Sequence, residues 1–353
     1  MNEKKMVIVI GGLRRCGAER VIWHITNYLV KQGWQIWIVL LLYGEVDYVM
    51  NEGVHIVDLS GNTESRIRRL PNWLIGIRRT VNKIKPNVVL SFIARINIIT
   101  QIACLGIKSK MIISERNDPY SDGRTKFVDI LTNWLYPKAD VVIFQTKRAL
   151  SYFNNMQLKN TYILRNPVSV QCLAKKAKER KIVSVGRLDA QKNQKMLIEA
   201  FAKMKEKCPN YKLYIYGEGS LRTQLAEQIK MLGLSGDVIL KGNVLDIHSQ
   251  IADASMFVLS SNYEGLSNAL IEAMMMGLPC ISTNCAGSDE VIVDGINGVL
   301  VPVGNVDALS AAMIKIADDK SFAYRIGLKA KNTAEAFRTE NVMEQWISVI
   351  EKV

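Results

Sequence analysis

The chain has 353 residues, of which 48% are apolar and 22% charged, so it is long enough for two domains and too apolar for an intrinsically disordered protein. Its longest apolar run, residues 36–43, is far shorter than the ~18 residues of a membrane-spanning helix. Six scattered cysteines without a Cys-x-x-Cys pair, together with only three histidines, argue against a metal site and indicate free thiols in a reducing compartment.

The positive charge is concentrated in the first half of the chain. Residues 1–168 carry 24 Lys and Arg against 12 Asp and Glu, whereas residues 169–353 carry 22 against 21. Nucleic acid, anionic lipid and phosphorylated small molecules would all fit such a basic half, and a solvated basic surface is the alternative. Because residues 1–12 do not have the pattern of a secretory signal, the sequence predicts a cytoplasmic protein.

Short, branched apolar runs alternate with segments of helical periodicity along the chain. Buried strands are predicted at residues 6–10, 36–42, 54–57, 88–93, 111–114 and 141–144, and again at 182–185, 213–216, 238–240, 256–259, 280–282 and 299–301. Helices are predicted between many of them, for example at 19–31, 72–85, 195–207 and 220–232. Because parallel strands need crossover connections, the alternation predicts an α/β fold with two doubly wound, Rossmann-like domains.

A proline turn followed by a charged stretch, at residues 165–181, marks the predicted domain boundary. We expect a first domain at 1–168, a second at 169–335, and a terminal helix at 336–353 that packs back toward the first. In doubly wound sheets ligands bind beyond the carboxyl ends of the strands, so a ligand shared by both domains is expected to lie in a cleft between them.

The loop after the first strand, GGLRRCGAER at residues 11–20, contains Gly17 directly before a predicted helix. Backbone N–H groups at a helix start can bind an anion. The order of its glycines is not that of a dinucleotide-binding loop, and a tight strand-to-helix turn is the alternative interpretation.

Two cations follow the strand at residues 182–185. Arg187 and Lys192 come just after Gly186, and together a guanidinium and an ammonium could neutralise a diphosphate without a metal. Surface salt bridging is the alternative. The sequence contains no Asp-x-Asp motif, so we expect neither a divalent metal ion nor another cofactor.

The segment SSNYEGLSN, residues 260–268, follows the strand at 256–259 and precedes an apolar helix. Gly265 allows a close approach of the backbone to a ligand, and Ser267 is the predicted N-cap. Glu272 is the one charged residue of the helix body, and a buried carboxylate needs hydrogen-bond donors such as sugar hydroxyls or, alternatively, backbone amides.

Taken in order, these segments resemble the retaining GT-B glycosyltransferases of family 4. The resemblance is carried by CGAER at 16–20, SERNDP at 114–119, NPV at 166–168, VGRLDAQKN at 185–193, YGEGSLRTQL at 216–225, GNV at 242–244 and EGLSNALIEAMMMGLPCI at 264–281. Seven residues separate Glu264 from Glu272, which is the paired-glutamate signature of that family.

The resemblance implies a donor site and an acceptor side. Arg187 and Lys192 would bind the donor diphosphate, Glu264 the hydroxyls of the donor sugar, and Glu272 the ribose. The other donor-binding residues it implies are Gly17, Gly186, Asn243, Val244, Gly265, Leu266, Ser267 and Asn268. On the acceptor side it implies Arg116 and Asn117. Two residues depart from the family pattern, since Cys16 replaces a common glycine and Arg116 replaces a histidine of several relatives.

The resemblance also implies the reaction. We expect retaining, metal-independent transfer of a hexose or N-acetylhexosamine from a nucleotide diphosphate sugar, with uridine diphosphate as the carrier. The acceptor would be a glycan linked to polyprenyl diphosphate in the synthesis of bacterial surface polysaccharide such as capsule. The enzyme would then work as a peripheral protein on the inner face of the membrane.

The segment at residues 64–86 carries seven cations against one anion, with Trp73 and Ile77 among its apolar residues. Pro71 is predicted to begin a short helix that lies on an anionic membrane, and a solvated basic helix is the alternative.

Two rival functions fit parts of the sequence. A nucleotide-sugar epimerase of the same architecture would use carboxylates and histidines, and histidine is scarce here. A nonenzymatic nucleic-acid-binding protein would explain the basic half but not Glu264 and Glu272, so no nucleic-acid partner is expected.

Overall fold

The computed structural model describes residues 4–14, 17–61, 66–175, 180–285 and 287–353. The chain divides into two compact units, the first made of Met1–Pro167 with Thr339–Val353 and the second of Val168–Arg338. Each unit has its own parallel sheet with helices, which confirms the predicted α/β fold of two parallel-sheet domains.

Among its described residues, the first unit contains seven parallel strands in the order β3-β2-β1-β4-β5-β6-β7. They are β1 (Lys5–Ile10), β2 (Gln35–Leu40), β3 (Val54–Asp58), β4 (Val88–Phe92), β5 (Lys110–Glu115), β6 (Val141–Phe144) and β7 (Thr161–Ile163). The accompanying helices are α1 (Gly17–Lys31), α2 (Arg66–Ile84), α3 (Ala94–Ala103), α4 (Lys126–Leu135) and α5 (Lys147–Ser151).

The central strands of the first sheet, such as β1, β4 and β6, are buried on both faces, which is why they read as continuous apolar runs. In β1 the side chains of Ile8 and Ile10 join one hydrophobic cluster, which includes Val21 and Ile25 of α1. Val9 points to the opposite face and joins a second cluster. The alternation of a strand therefore supplies two cores from one segment.

In the described part of the second unit, six parallel strands form a sheet in the order β10-β9-β8-β11-β12-β13. They are β8 (Lys181–Val185), β9 (Lys212–Tyr216), β10 (Val238–Gly242), β11 (Met256–Leu259), β12 (Cys280–Thr283) and β13 (Val299–Val301). The helices are α6 (Gln194–Lys207), α7 (Arg222–Met231), α8 (Ile247–Ile251), α9 (Asn268–Met276), α10 (Val306–Asp318) and α11 (Lys320–Ala334). The strand order reverses between β8 and β11, and ligands of doubly wound sheets bind at such a point.

The last helix, α12 (Thr339–Glu351), belongs to the first unit. Its Trp346 is fully buried and stacks on Phe92 with a centroid distance of 5.9 Å. Val342 and Ile350 join the same cluster as the strands of the first sheet. The core of the first unit is therefore completed by the end of the chain.

The structure corrects two details of the sequence-based prediction. The short strand β7 was not predicted. The prediction that Pro71 begins a helix is wrong, because α2 begins at Arg66 and holds Pro71 in its interior. Pro71 is exposed, while the buried Trp73 donates its indole N–H to the carbonyl oxygen of Leu59 at 3.1 Å. Packing of the helix thus outweighs the backbone hydrogen bond that proline removes.

Replacing the buried tryptophan tests whether α12 is part of the first core. Trp346→Ala should destabilise the first unit by about 3–5 kcal/mol, because it removes a large buried side chain and leaves a cavity. Differential scanning calorimetry should show the transition of one unit shifted to lower temperature. The matched control is Trp134→Ala on the half-exposed tryptophan of α4, which should shift it little. Equal transitions for both variants would contradict this assignment of α12.

Candidate functional site

The loops that follow β8 and β11 are joined side by side where the strand order reverses. The backbone N–H of Asn262 donates to the carbonyl oxygen of Gln191 at 2.8 Å, and the Gln191 side chain donates to the carbonyl oxygen of Tyr263 at 3.1 Å. Asn193 Nδ2 donates to Asn262 Oδ1 at 2.9 Å. These bonds make one surface from two loops of distant sequence position.

An ion pair crosses this surface. Lys192 Nζ lies 2.5 Å from Glu264 Oε1, and the side chains are only 15% and 7% exposed. Ser261 Oγ donates to the same carboxylate oxygen at 2.6 Å. The pairing offsets the cost of removing both charges from water. Because an ammonium has three N–H donors, Lys192 can bind a second anion while it keeps Glu264.

Two glycines allow the close backbone packing behind the pair. A Cβ atom at Gly217 would lie 2.0 Å from the carbonyl oxygen of Gly186, and one at Gly287 would lie 1.7 Å from that of Gly265. Both Gly217 and Gly287 also have positive φ angles, of 133° and 83°. Gly186 in turn lies along the side chain of Lys192, since a Cβ there would be 3.2 Å from its Cδ and Cε atoms.

The amino terminus of α9 begins beside Glu264. Ser267 Oγ accepts from the backbone N–H of Leu270 at 3.4 Å, so the predicted N-cap is confirmed. Leu266 and Ser267 are buried, and Asn268 is the first helical residue. The N–H groups of a helix start carry partial positive charge, which adds to that of Lys192.

Arg187 lies in the same loop as Lys192 but faces solvent, with its side chain 70% exposed. It contacts Asp189 at 3.3 Å and Gln191 Oε1 at 3.2 Å. An exposed pair of this kind contributes little free energy, so the guanidinium can exchange its partner for an anion. Asn243 and Val244 are exposed after β10, and their predicted contact with a base stays a prediction.

Glu272 is buried on α9, as predicted, and has a neighbour that the sequence did not indicate. His248 Nε2 lies 3.4 Å from Glu272 Oε2. The Nδ1 atom of the same ring accepts from the backbone N–H of Gln171, also at 3.4 Å. No periodicity or motif connects positions 248 and 272, so only the fold brings them together.

The first unit has a pocket of about 390 Å³ next to the carboxyl ends of β1, β4 and β5. Gly12, Ile93 and Asn117 line it from the three strand ends. Ile93 has a φ of 76°, a left-handed conformation that is strained for a β-branched residue. Because such strain is concentrated at functional sites, we take this pocket as a second candidate site.

A buried polar cluster adjoins that pocket. Tyr136 donates its hydroxyl to Glu115 Oε2 at 2.7 Å, and Arg124 Nη2 lies 3.5 Å from the same oxygen. Arg124 also donates to both carboxylate oxygens of Asp122, at 3.0 and 2.7 Å. Burial raises the pKa of Glu115 to about 7, against the opposing effect of Arg124. Sequence reasoning missed this cluster, although Glu115 lies within the SERNDP motif.

Arg116 and Asn117, the residues predicted for the acceptor side, are placed differently. Asn117 lines the pocket of the first unit. The Arg116 side chain is buried, donates to the Leu164 carbonyl oxygen and to Asn166, and lies over the ring of Trp346. Burial lowers the pKa of Arg116 to about 9. Its contacts connect β5 to α12, and an acceptor contact stays a prediction.

The remaining site prediction concerns the first glycine loop. Gly17 is the first residue of α1, so the helix begins at this glycine and not directly after it as predicted. Cys16 lies outside the described residues. Within the described part of the chain, no group of three His, Cys, Asp or Glu side chains could hold a metal ion, and no helix is both long and apolar enough to cross a bilayer.

The buried carboxyl group should give the first unit a pH-dependent stability. Glu115 ionises near pH 4.5 when the chain is unfolded and at about 7 when folded. The folded state therefore binds more protons between these values, and stability falls as the pH rises through them. Glu115→Gln should remove this component, so its melting temperature relative to the parent should rise between about pH 5 and about pH 8. The exposed Glu52→Gln is the control, and parallel curves for Glu115→Gln and the parent would refute the shift.

Comparisons with known proteins identify the family of the chain. Residues 169–333 match the family model of the glycosyl transferases group 1, and residues 16–171 match that of glycosyltransferase family 4. The chain is 27% identical over 360 residues to the Campylobacter jejuni GalNAc-alpha-(1->4)-GalNAc-alpha-(1->3)-diNAcBac-PP-undecaprenol alpha-1,4-N-acetyl-D-galactosaminyltransferase, with 99% of each chain covered. It is 29% identical to an N-acetylgalactosamine-N,N'-diacetylbacillosaminyl-diphospho-undecaprenol 4-alpha-N-acetylgalactosaminyltransferase of the same organism, over 95% of this chain and 96% of that one.

Solved structures share the fold. Anabaena HepE in complex with UDP superposes with a TM-score of 0.85 at 16% identity, over 99% of this chain and 100% of that one. Sucrose-phosphate synthase from Thermosynechococcus elongatus gives the same TM-score and identity, over 99% of each chain. The two family matches are consecutive and together span most of the sequence. The chain therefore belongs to the GT-B glycosyltransferases of family 4.

Proposed function

We propose that this glycosyltransferase transfers a hexose or N-acetylhexosamine from a nucleotide diphosphate sugar, with retention of configuration, to a lipid-linked glycan. The observation that carries the proposal is the buried Lys192–Glu264 pair beside the amino terminus of α9. In this ion pair the Lys192 ammonium can bind a phosphate, and the Glu264 carboxylate can accept hydrogen bonds from sugar hydroxyls. The two Campylobacter relatives, which are N-acetylgalactosaminyltransferases by name, support the class of sugar.

The donor diphosphate binds to the cations of the loop after β8. Lys192 provides a shielded charge at a fixed position, and Arg187 closes on the phosphate from solvent. The N–H groups at residues 265–268 point toward the distal phosphate and the sugar. Glu264 accepts from hydroxyls of the sugar while Lys192 and Ser261 hold its other oxygen.

The nucleoside occupies the region between α9 and the loop after β10. Glu272 accepts hydrogen bonds from the ribose hydroxyls, and Asn243 and Val244 border the base. Uridine diphosphate is the proposed carrier, and the UDP bound to Anabaena HepE, a protein of the same fold, supports it.

The reaction follows a front-face route, in which the acceptor hydroxyl enters on the side from which the diphosphate leaves. The bond from the sugar carbon to the phosphate oxygen breaks, a bond to the acceptor oxygen forms, and the leaving phosphate takes the proton of the acceptor. Lys192, Arg187 and the start of α9 stabilise the charge that grows on this phosphate. Because these groups stabilise the leaving phosphate, the proposed reaction needs no metal ion.

The acceptor binds to the first unit, in the pocket lined by Asn117 and by Ile93, whose backbone is strained. Both Campylobacter relatives act on glycans carried by a diphospho-undecaprenol lipid, which supports a polyprenyl-diphosphate acceptor in bacterial surface glycan synthesis. Such an acceptor would keep the enzyme at the inner face of the membrane. The exposed cations Arg68, Arg79 and Lys83 of α2 fit anionic headgroups, whereas Trp73 is buried and cannot contact lipid.

A panel of nucleotide sugars tests the donor class directly. A ligand at about 100-fold its Kd stabilises the folded state by about 2.7 kcal/mol, so the true donor should raise the melting temperature. UDP sugars are expected to do so more than GDP or ADP sugars at equal concentration. Release of the nucleotide with an undecaprenyl-diphosphate glycan as acceptor then measures transfer. If no nucleotide sugar shifts the melting temperature, the proposed function is wrong.

Loss of the buried ammonium should slow the reaction strongly. Lys192→Ala should lower kcat by about 100- to 1000-fold, the usual effect of removing one group that stabilises charge in the transition state. The substitution also leaves the Glu264 carboxylate without its cation, which lowers the stability of the fold. The melting temperature is therefore measured together with kcat, to separate a loss of catalysis from unfolding. The neighbouring Lys195→Ala on the exposed side of α6 is the control. Equal turnover in Lys192→Ala and the parent would remove Lys192 from the mechanism.

A further inference from the structure

Helix α4 exposes a stripe of large apolar side chains. Phe127, Ile130 and Trp134 are 68%, 63% and 50% exposed. Their spacing of three and four residues places them on one face of the helix. Scattered exposed apolar residues are common, but a continuous apolar face of this kind indicates an interaction surface. We call these three residues the α4 stripe.

The helix itself is well anchored, so its exposed face is fixed in position. Thr125 caps it by accepting from the backbone N–H of Val128 at 3.4 Å. Thr132 and Leu135 are buried on the opposite face. The apolar side chains of the α4 stripe therefore cannot turn inward without breaking this packing.

The charges around the α4 stripe are positive. Lys126 and Lys138 are exposed at its two ends, and the Lys138 ammonium lies 4.6 Å from the centre of the Trp134 ring. Within Lys126–Leu135, all of which the structure describes, the single acidic residue is Asp129. Its carboxylate is half-buried and accepts from the Tyr152 hydroxyl at 2.9 Å, so it is turned away from the stripe.

Aromatic and aliphatic side chains flanked by lysines are the composition of surfaces that enter the boundary of an anionic bilayer. A protein partner would be expected to meet a polar rim with hydrogen-bonding side chains. On the exposed face of α4, Asn133 is the one uncharged polar side chain, which favours lipid over protein.

We propose that the α4 stripe inserts into the headgroup boundary of an anionic membrane, with Lys126 and Lys138 on the headgroups. Val128, in the first turn of the same helix, lines the pocket of the first unit. Insertion of α4 would hold this pocket at the lipid surface, where the glycan of a lipid-linked acceptor leaves the membrane. The inference rests on the proposed acceptor class and names the surface that brings it to the enzyme.

Co-sedimentation of the full chain with vesicles tests the α4 stripe. Equimolar phosphatidylglycerol and phosphatidylethanolamine vesicles are compared with phosphatidylcholine vesicles, in low salt and in about 1 M salt, where the Debye length is only about 3 Å. The parent should bind the anionic vesicles and keep part of that binding in high salt. Phe127→Ser with Ile130→Ser should lower the binding about tenfold or more and remove the salt-resistant part. The control is Leu245→Ser, at an exposed leucine of the second unit, which should bind like the parent.

Three results would overturn the inference. One is equal binding of the parent and the Phe127→Ser, Ile130→Ser variant at both salt concentrations. Another is a dimer of the parent in size-exclusion chromatography that the same variant splits, since the stripe would then be an interface between two copies. The third is no binding of the parent to anionic vesicles. None of these results would affect the nucleotide-sugar shifts, which test the proposed donor separately.

A second, independent observation concerns His248. Because its Nδ1 accepts from the Gln171 backbone N–H, the proton of the neutral ring lies on Nε2. Its Nε2 lies 3.4 Å from Glu272 Oε2 without forming a hydrogen bond to it, and the N–H has no hydrogen-bond partner among the described residues. The contact is long for a hydrogen bond, and such bonds often shorten when a ligand binds.

We also infer that His248 is a positioning residue, which holds the Glu272 carboxylate in the orientation that accepts the ribose hydroxyls. The inference rests on the proposed role of Glu272. Two amide substitutions distinguish the roles of the two ring nitrogens. A Gln side chain can place an N–H donor near the position of Nε2, whereas an Asn side chain can place one only near that of Nδ1. His248→Gln should therefore preserve the contact with Glu272, and His248→Asn should lose it.

Binding of uridine diphosphate and of its 2′-deoxy and 3′-deoxy analogues by calorimetry tests this role. His248→Asn should weaken binding of the full nucleotide about tenfold, as expected for one lost charge-assisted hydrogen bond, and weaken binding of at least one analogue much less. His248→Gln should stay close to the parent. Equal losses for all three nucleotides would indicate a structural role and overturn the inference, as would unchanged binding in His248→Asn. If the parent binds no uridine nucleotide, the proposed donor fails first and this role with it.

Discussion

The ion pair between Lys192 and Glu264 is the interaction on which the donor site depends. It joins the ends of two neighbouring strands, β8 and β11, through loops that are 72 positions apart in sequence. Both side chains are largely shielded from water, so removing either one would leave the other charge unpaired and would destabilise the site. Behind it, Gly217 and Gly287 let the loops after β9 and β12 pack closely against these two loops. A diphosphate that reaches this surface meets a cation that is already oriented. The entropy cost of ordering the lysine side chain is met during folding, so it does not weaken binding of the diphosphate.

The fold was predictable from the sequence because parallel strands buried on both faces must be apolar throughout. The central strands follow this rule, and twelve strands of the described residues were found at nearly the predicted positions, whereas β7 is an edge strand of three residues with partly exposed side chains and gave no such signal. The start of α2 was mispredicted for a different reason. Pro71 normally marks the beginning of a helix, but here the burial of Trp73 and Ile77 keeps the segment helical on both sides of it.

The candidate site was predictable in its residue types but not in its pairings. Glycines and charges at strand ends indicated the loops of Lys192 and Glu264, since that is where doubly wound sheets bind ligands. The contacts of Ser261 with Glu264 and of His248 with Glu272 follow from side-chain positions that no local pattern encodes. The buried Glu115 cluster was missed because a charged residue at the end of an apolar strand reads as the start of a loop.

The position of α12 has a consequence for how the protein is made. The sheet of the first unit leaves the ribosome before the second unit, yet Trp346 and its neighbours, which fill one side of its core, are synthesised only after the whole second unit. The second unit is continuous in sequence and can fold as soon as it emerges. The sheet of the first unit must wait with an open apolar face, so nascent chains of this enzyme need protection from aggregation until α12 has been synthesised.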